Sequence, residues 1–285
     1  MINKSAILYS IIYAMTIITY QLSINNSTTS IIEKNDFLLI IIESIILLFM
    51  SMFYKIVKLD DEYIEINKYM LVSGICFCLF IKFAMLGIQY SNSAFVANME
   101  GGNIMMNYIV EIYYGIANIK QFPIILSIII TTFIGNYGLE GIQNKNVGIA
   151  YLFCILNIIS ENITGIIISK NKKECKISSF IYFNLGILLS ALFFYIVELY
   201  VYGKITEKYS SWIYVNIIIN CIYIFCYFFL VDLYGITFDS VSCSISMLWT
   251  MLFIVSLYGS YDIIMACCGT ICLVVNSLYY IFNNY

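Results

Sequence analysis

The amino-acid sequence predicts an all-α integral membrane protein of about ten transmembrane helices, arranged as two inverted five-helix repeats. Three observations predict it. The chain is 62% hydrophobic and only 11% charged over 285 residues, whereas a soluble domain is nearer half apolar and a quarter charged. Its apolar residues fall into ten runs separated by short polar breaks. The start of the fourth run also resembles the start of the ninth, five runs later.

A spanning helix needs about 20 mainly apolar residues, because every backbone polar group must be satisfied inside the hydrocarbon. The first span, 6–22, follows Lys4. No small-x-small cleavage pattern comes after it, so it reads as a signal-anchor helix rather than a cleaved signal peptide. The second span, 37–54, carries a lone Glu43, and the third, 69–90, carries Lys82. The turn Tyr90-Ser91-Asn92 leads into the fourth, 93–115. The fifth and sixth are 121–141 and 146–169, and the seventh is 178–201. The eighth, 211–231, ends at a polar turn near Asp232, the ninth is 238–258, and Gly259-Ser260 separates it from the tenth, 261–282. No stretch is left for a soluble domain.

The repeat boundary falls between the fifth and sixth spans, giving halves 1–145 and 146–285. The fourth span opens Ser93-Ala94-Phe95-Val96 and closes at Gly115; the ninth opens Ser240-Val241-Ser242-Cys243 and closes at Gly259. An odd number of spans per half forces the second half to insert upside down, a pattern typical of secondary transporters.

Lysine distribution gives the direction. Lys4, Lys55, Lys58, Lys68, Lys120, Lys170, Lys172, Lys173 and Lys176 fall on one side, while Lys34, Lys145, Lys204 and Lys208 fall on the other. The positive-inside rule then puts both termini in the cytosol. Loop 23–36, with the sequons Asn25-Asn26-Ser27 and Asn26-Ser27-Thr28, lies on the far side.

Composition also excludes functions. With 14 Lys, no Arg and no His, there is no Ser-His-Asp triad, no His-ligated zinc and no H-E-x-x-H helix. The ten Cys make no C-x-x-C pair and lie almost all in apolar runs, where they act as small packing residues. The reading is therefore of a non-enzyme with no catalytic residue, metal or cofactor. A net charge of -3 without a basic stripe offers nothing to nucleic acid. The partners expected are a small-molecule solute and membrane lipid, with a homodimer as a further option.

Ionisable groups at membrane depth cost roughly 2.5–3.5 kcal/mol each on insertion scales, so they face a cavity or a partner. On the fourth span, Glu100, Asn103, Asn107 and Glu111 are spaced to share one helical face, with Gly101-Gly102 beside Glu100. Two readings stand for this stripe: a solute-facing surface, or a polar seam in which Glu100 pairs with Lys82. On the ninth span, Asp239, Ser242, Ser246 and Thr250 share a face, with Asp239 near the membrane interface. The sixth span shows Asn157, Glu161 and Thr164, the seventh Asn184 and Glu198, and the eighth Asn216, Asn220 and Tyr223. Glu43 and Glu161, set in apolar surroundings, read as coupling or structural carboxylates.

Ten spans, cytosolic termini, the Lys-rich central loop 170–176 and two similar halves resemble the drug/metabolite transporter superfamily. Within it the chain looks most like the nucleotide-sugar transporters, in the branch of UDP-galactose, UDP-N-acetylglucosamine and CMP-sialic acid carriers. Gly148 to Lys170 resembles that family's sixth helix. Ile181-Tyr182-Phe183-Asn184-Leu185-Gly186 resembles its Arg-Asn-x-Gln-Leu-Gly stretch, with Asn184 on the asparagine near the substrate. Trp212 through Met251 aligns with its eighth and ninth helices, and Glu43 matches an acidic residue of its second. Two departures concern the substrate. The Tyr-Gln and following Lys of the family's fourth helix are replaced by Val96-Ala97 and Asn103. Asp232 and Asp239 stand where its ninth helix carries lysines.

The resemblance implies an alternating-access antiporter of nucleotide sugars in Golgi or ER membranes. Its solute site would draw on Glu100, Asn103, Asn107, Glu111, Asn184, Asp239 and Lys82. An anionic nucleotide needs cations or helix N-termini, and this chain has few of the former. The alternative is a carrier of another small polar or cationic metabolite, coupled to protons, and a non-transporting membrane scaffold is a third class.

Overall fold

The computed structural model describes residues 36–57, 67–90, 93–115, 117–137, 147–171, 177–202, 212–242 and 263–284. The first predicted span, loop 23–35 with its sequons, and most of the ninth span lie outside the described residues.

The described residues are all-helical. In chain order the helices are α1 (Asp36–Val57), α2 (Lys68–Tyr90), α3 (Ser93–Tyr113), α4 (Phe122–Tyr137), α5 (Val147–Lys170), α6 (Ile177–Tyr202), α7 (Trp212–Tyr234), α8 (236–242) and α9 (Ile263–Asn284). A 3-10 turn, Ile119–Gln121, precedes α4. Among the described residues, five stretches are long and apolar enough to cross a membrane: Phe37–Val57, Gly148–Lys170, Ile177–Val201, Ile217–Tyr234 and Ile263–Asn283.

Boundaries match the apolar runs closely, with one informative exception. The sequence puts the end of the eighth span near Asp232. Instead α7 continues to Tyr234 and breaks at Gly235, whose φ of +95° only glycine adopts without strain. The ninth span therefore starts at 236 and not 238. A polar residue alone does not stop a helix whose remaining turn is packed; the left-handed residue does.

Among the described residues, large apolar side chains cover much of the outside, and many polar ones are enclosed. Phe49, Phe53 and Ile56 of α1 and Phe193, Ile196 and Tyr200 of α6 are exposed, while Glu43, Asn103, Asn107, Glu111, Glu161, Asn184 and Asp239 are buried. That inversion suits a hydrocarbon solvent, which welcomes side chains that water rejects.

Cross-helix contacts fix the directions. Phe37 stacks on Phe194 and Lys55 Nζ donates to Ser178 Oγ at 3.4 Å, so α1 and α6 run antiparallel. Asn157 Nδ2 donates to the Phe80 carbonyl at 2.8 Å, and Phe153 stacks on Tyr90, so α2 and α5 are antiparallel. α2 and α6 run parallel, with Gly74 at Phe183 and Lys82 at Glu198, and they cross where Gly74 meets the Phe183 carbonyl and Gly186 meets the Leu71 carbonyl. Between α2, α6 and α7 lies an aromatic core of Phe77, Phe180, Phe183, Tyr223, Tyr227 and Phe228. α4 packs on α3 and α9.

Lys82 forms its salt bridge with Glu198 of α6, at 3.1 Å, and its ammonium sits 4.6 Å from the centre of the Phe37 ring. Removing one member of such a low-dielectric pair strands the other, whereas replacing both with apolar residues is tolerated. Glu198→Gln is thus expected to lower the melting temperature more than the double variant Lys82→Met with Glu198→Leu. Equal losses would mean that the pair does not hold the α2–α6 contact.

Candidate functional site

The polar stripe of α3 faces the protein interior. Asn103, Asn107 and Glu111 are 1%, 0% and 3% exposed. Their spacing of four residues stacks them along one face, about 6 Å of rise apart, and each meets a different acceptor or donor group across the seam.

Asn103 is held by α5. Its Nδ2 donates to Glu161 Oε2, and its Oδ1 accepts from Asn162 Nδ2 at 3.2 Å. Asn162 Nδ2 also donates to the Ile158 carbonyl at 2.8 Å, which settles the orientation of that amide. One turn along α3, Asn107 Nδ2 donates to Ser240 Oγ of α8. That hydroxyl in turn donates to the Ile236 carbonyl at 3.2 Å.

A further turn along, Glu111 caps α8. Its Oε1 accepts from the backbone N–H of Ile236 at 2.7 Å and of Thr237 at 3.2 Å. A carboxylate at a helix start meets unsatisfied N–H groups and the positive end of the helix dipole together. Gly235 makes room for it: a Cβ there would lie 2.5 Å from Glu111 Oε1. The chain turns back below α3 at Gly115, whose φ is +70°.

Asp239 sits on α8 at 1% exposure beside Ser240 and Ser242, both fully buried. Asp239 lies in the first turn of α8, near the start of its span as the sequence places it, and that turn is docked on α3. Asn103, Asn107, Glu111 and Glu161 therefore belong to one seam between α3, α5 and α8, with Asp239 buried on α8 next to Ser240. Glu100 lies on α3, but its side chain is outside the described residues, as are Ser246 and Thr250.

The remaining predicted residues go elsewhere. Asn184 Nδ2 bonds the Phe180 carbonyl of its own helix, at 2.9 Å. Lys82 has Glu198 as salt-bridge partner. Glu43 accepts from Asn220 Nδ2 of α7. The face proposed for α5 is split: Glu161 turns to α3, while Asn157 and Thr164 bond the α2 backbone.

Sequence reasoning missed Asn162, because a face drawn through Asn157, Glu161 and Thr164 passes it by. The adjacent pair Glu161-Asn162 was the available signal, since two polar neighbours point about 100° apart and need partners on two sides. It also missed the Gly74–Gly186 crossing, where an added Cβ at either glycine would run into the backbone of the other helix.

No protein-family model matches the chain, and no curated protein matches its sequence.

Proposed function

We propose that the chain is a secondary-active carrier of the drug/metabolite type, with ten spans in two inverted repeats and an alternating-access cycle. The observation that carries this reading is the pairing of helices five spans apart. Counting α1 as the second span, α1 packs on α6, α2 on α7 through Phe77 and Tyr227, α3 on α8 through Asn107 and Ser240, and α4 on α9 through Ser127 and Asn276. The contact of α2 with α6 has its counterpart in that of α1 with α7. An inverted two-fold axis in the membrane plane generates this pattern, and the polar seam between α3 and α8 straddles it.

The substrate reading rests on the resemblance: a nucleotide sugar, exchanged for a nucleoside monophosphate across Golgi or ER membranes, with both termini cytosolic. Purified protein in liposomes preloaded with nucleoside monophosphates is expected to take up a labelled nucleotide sugar saturably. A flat response across a broad panel would overturn this reading.

The seam favours a second reading of the same carrier. Glu161 is buried there against the Asn103 amide and Asp239 is buried on α8, and carboxylates suit a polar or cationic metabolite coupled to protons better than a phosphate. On this reading Glu100→Gln abolishes proton-driven uptake, and full activity in that variant would exclude it.

A further inference from the structure

The start of α8 is enclosed on every side. Each of its described residues, Ile236 to Ser242, is at most 1% exposed. Seven residues make about two turns, so no direction around the helix is left open. Among the described residues the other α-helices keep an outward side, as α3 does at Met106 and Ile109 and α7 at Tyr214 and Ile218. Yet Thr237, Asp239, Ser240 and Ser242 are polar. Enclosed polar groups at membrane depth line solute pathways or pair with one another. Ser240 pairs with Asn107, whereas Thr237 Oγ1 and Ser242 Oγ have no hydrogen-bond partner among the described residues.

α8 is tied down at its first residues. Glu111 of α3 holds the Ile236 and Thr237 N–H groups. The Ile236 side chain fills a notch on α5 at Gly165, where an added Cβ would overlap it. Between these contacts and α7 stands Gly235, at a φ of +95°. Glycine reaches both halves of φ space at little cost, so rotation there swings the start of α8 without straining the chain. The contacts also sit near one membrane face. Lys170 Nζ at the end of α5 lies 4.0 Å from the centre of the Tyr114 ring, just beyond the end of α3. α3 and α5 therefore end together, and Glu111 is about one turn short of that end.

We propose that the start of α8 is a plug, hinged at Gly235 and latched by Glu111 and the Gly165 notch, which closes the interior seam toward the membrane face where α3 and α5 end. Releasing it takes the exchange of two carboxylate–amide bonds for water and the lifting of one side chain, so only that end opens. The Lys82–Glu198 salt bridge lies toward the other face, because only two residues separate the end of α2 from the start of α3. An alternating-access cycle needs each face to open alone, and these two contacts between the repeats hold opposite ends. The inference rests on the carrier reading above and names the segment that opens and the face it serves.

The test places the full chain in vesicles of one orientation, with Ser242→Cys as a reporter, a near-isosteric change that breaks no hydrogen bond. Lys120, exposed beyond the end of α3, identifies the face: it is the one from which Lys120→Cys reacts with a membrane-impermeant maleimide. Rates are counted above those of the same chain without the reporter. Glu111→Ala is expected to raise labelling of the reporter at least ten-fold from that face and less than two-fold from the other. Gly165→Ala, which pushes Ile236 out of its notch, is expected to act in the same direction, so the outcome does not hang on one variant folding. Glu198→Gln is expected to leave labelling from that face unchanged. No rise in a folded latch variant, or equal rises from both faces, overturns the plug whatever solute is carried. An equal rise with Glu198→Gln overturns it too, since loosening anywhere would then suffice. A face-specific rise with no uptake of any solute would leave the plug standing and sink the carrier reading instead.

Discussion

Gly74→Ala and Gly186→Ala are each expected to lower the melting temperature of the purified protein sharply. A Cβ at Gly74 would lie 2.0 Å from the Phe183 carbonyl oxygen, and one at Gly186 would lie 2.1 Å from the Leu71 carbonyl oxygen. Both obstacles are backbone, so no rotamer change relieves them; α2 and α6 must separate. Overpacking a well-filled interior costs about 1–3 kcal/mol, and a forced separation of two helices falls at or above the top of that range. The separation also opens the aromatic core built on Phe77 and Phe183, whose ring centroids are 5.3 Å apart. Gly102→Ala is the control. Its Cβ would meet only Ile158 at 3.7 Å, and alanine is the better helix former by about 1 kcal/mol. Thermal unfolding should therefore rank Gly102→Ala at or above wild type and the other two well below. A Gly74→Ala protein that melts with wild type would show that the helices do not cross there.

The second large effect is expected at the Glu111 cap. Glu111→Ala leaves the Ile236 and Thr237 N–H groups without their acceptor, and a stranded buried donor costs about 1–3 kcal/mol. Glu111→Gln keeps an oxygen in place and loses only the charge, so it should fall between alanine and wild type. Gly235→Ala acts on the same contact from the other side. It puts alanine at a φ of +95°, in the left-handed half of backbone space, where a non-glycine residue costs roughly 1–2 kcal/mol. It also drives a methyl against the Glu111 carboxylate. The double variant Glu111→Ala with Gly235→Ala should lose less than the two singles together, because the clash is gone once the carboxylate is removed. Strict additivity in melting experiments would mean that the two residues do not touch. In the carrier reading this cap ties α3 of the first repeat to α8 of the second, so Glu111→Ala should also change the rate of uptake.

Much of the fold was legible in the chain because the relevant physics is local. A run of twenty apolar residues must be a helix in hydrocarbon, whatever it packs against. Hence α1, α2, α5 and α6 begin and end within a few residues of the apolar runs. The Asn103-Asn107-Glu111 face was legible for the same reason, since four-residue spacing places side chains on one side of any helix.

What the stripe faces was not legible. Nothing in Asn103 or Asn107 says that Glu161 of α5 and Ser240 of α8 will answer them, 58 and 133 residues away. Lys82 looked like a cation available to a solute until the parallel crossing of α2 and α6 brought Glu198 to it. Asp239 lies near the start of its helix as its position in the chain suggests, but its burial within the protein is decided by the packing of that turn. The chain by itself determined the helices, their apolar surfaces and the face on which α3 keeps its polar groups, because these follow from periodicity and from the bilayer as solvent. Only the tertiary structure decided which polar groups meet, because in lipid every apolar face is equally well solvated and partners are chosen by close backbone approach at small residues and by the need to satisfy each buried amide and carboxylate.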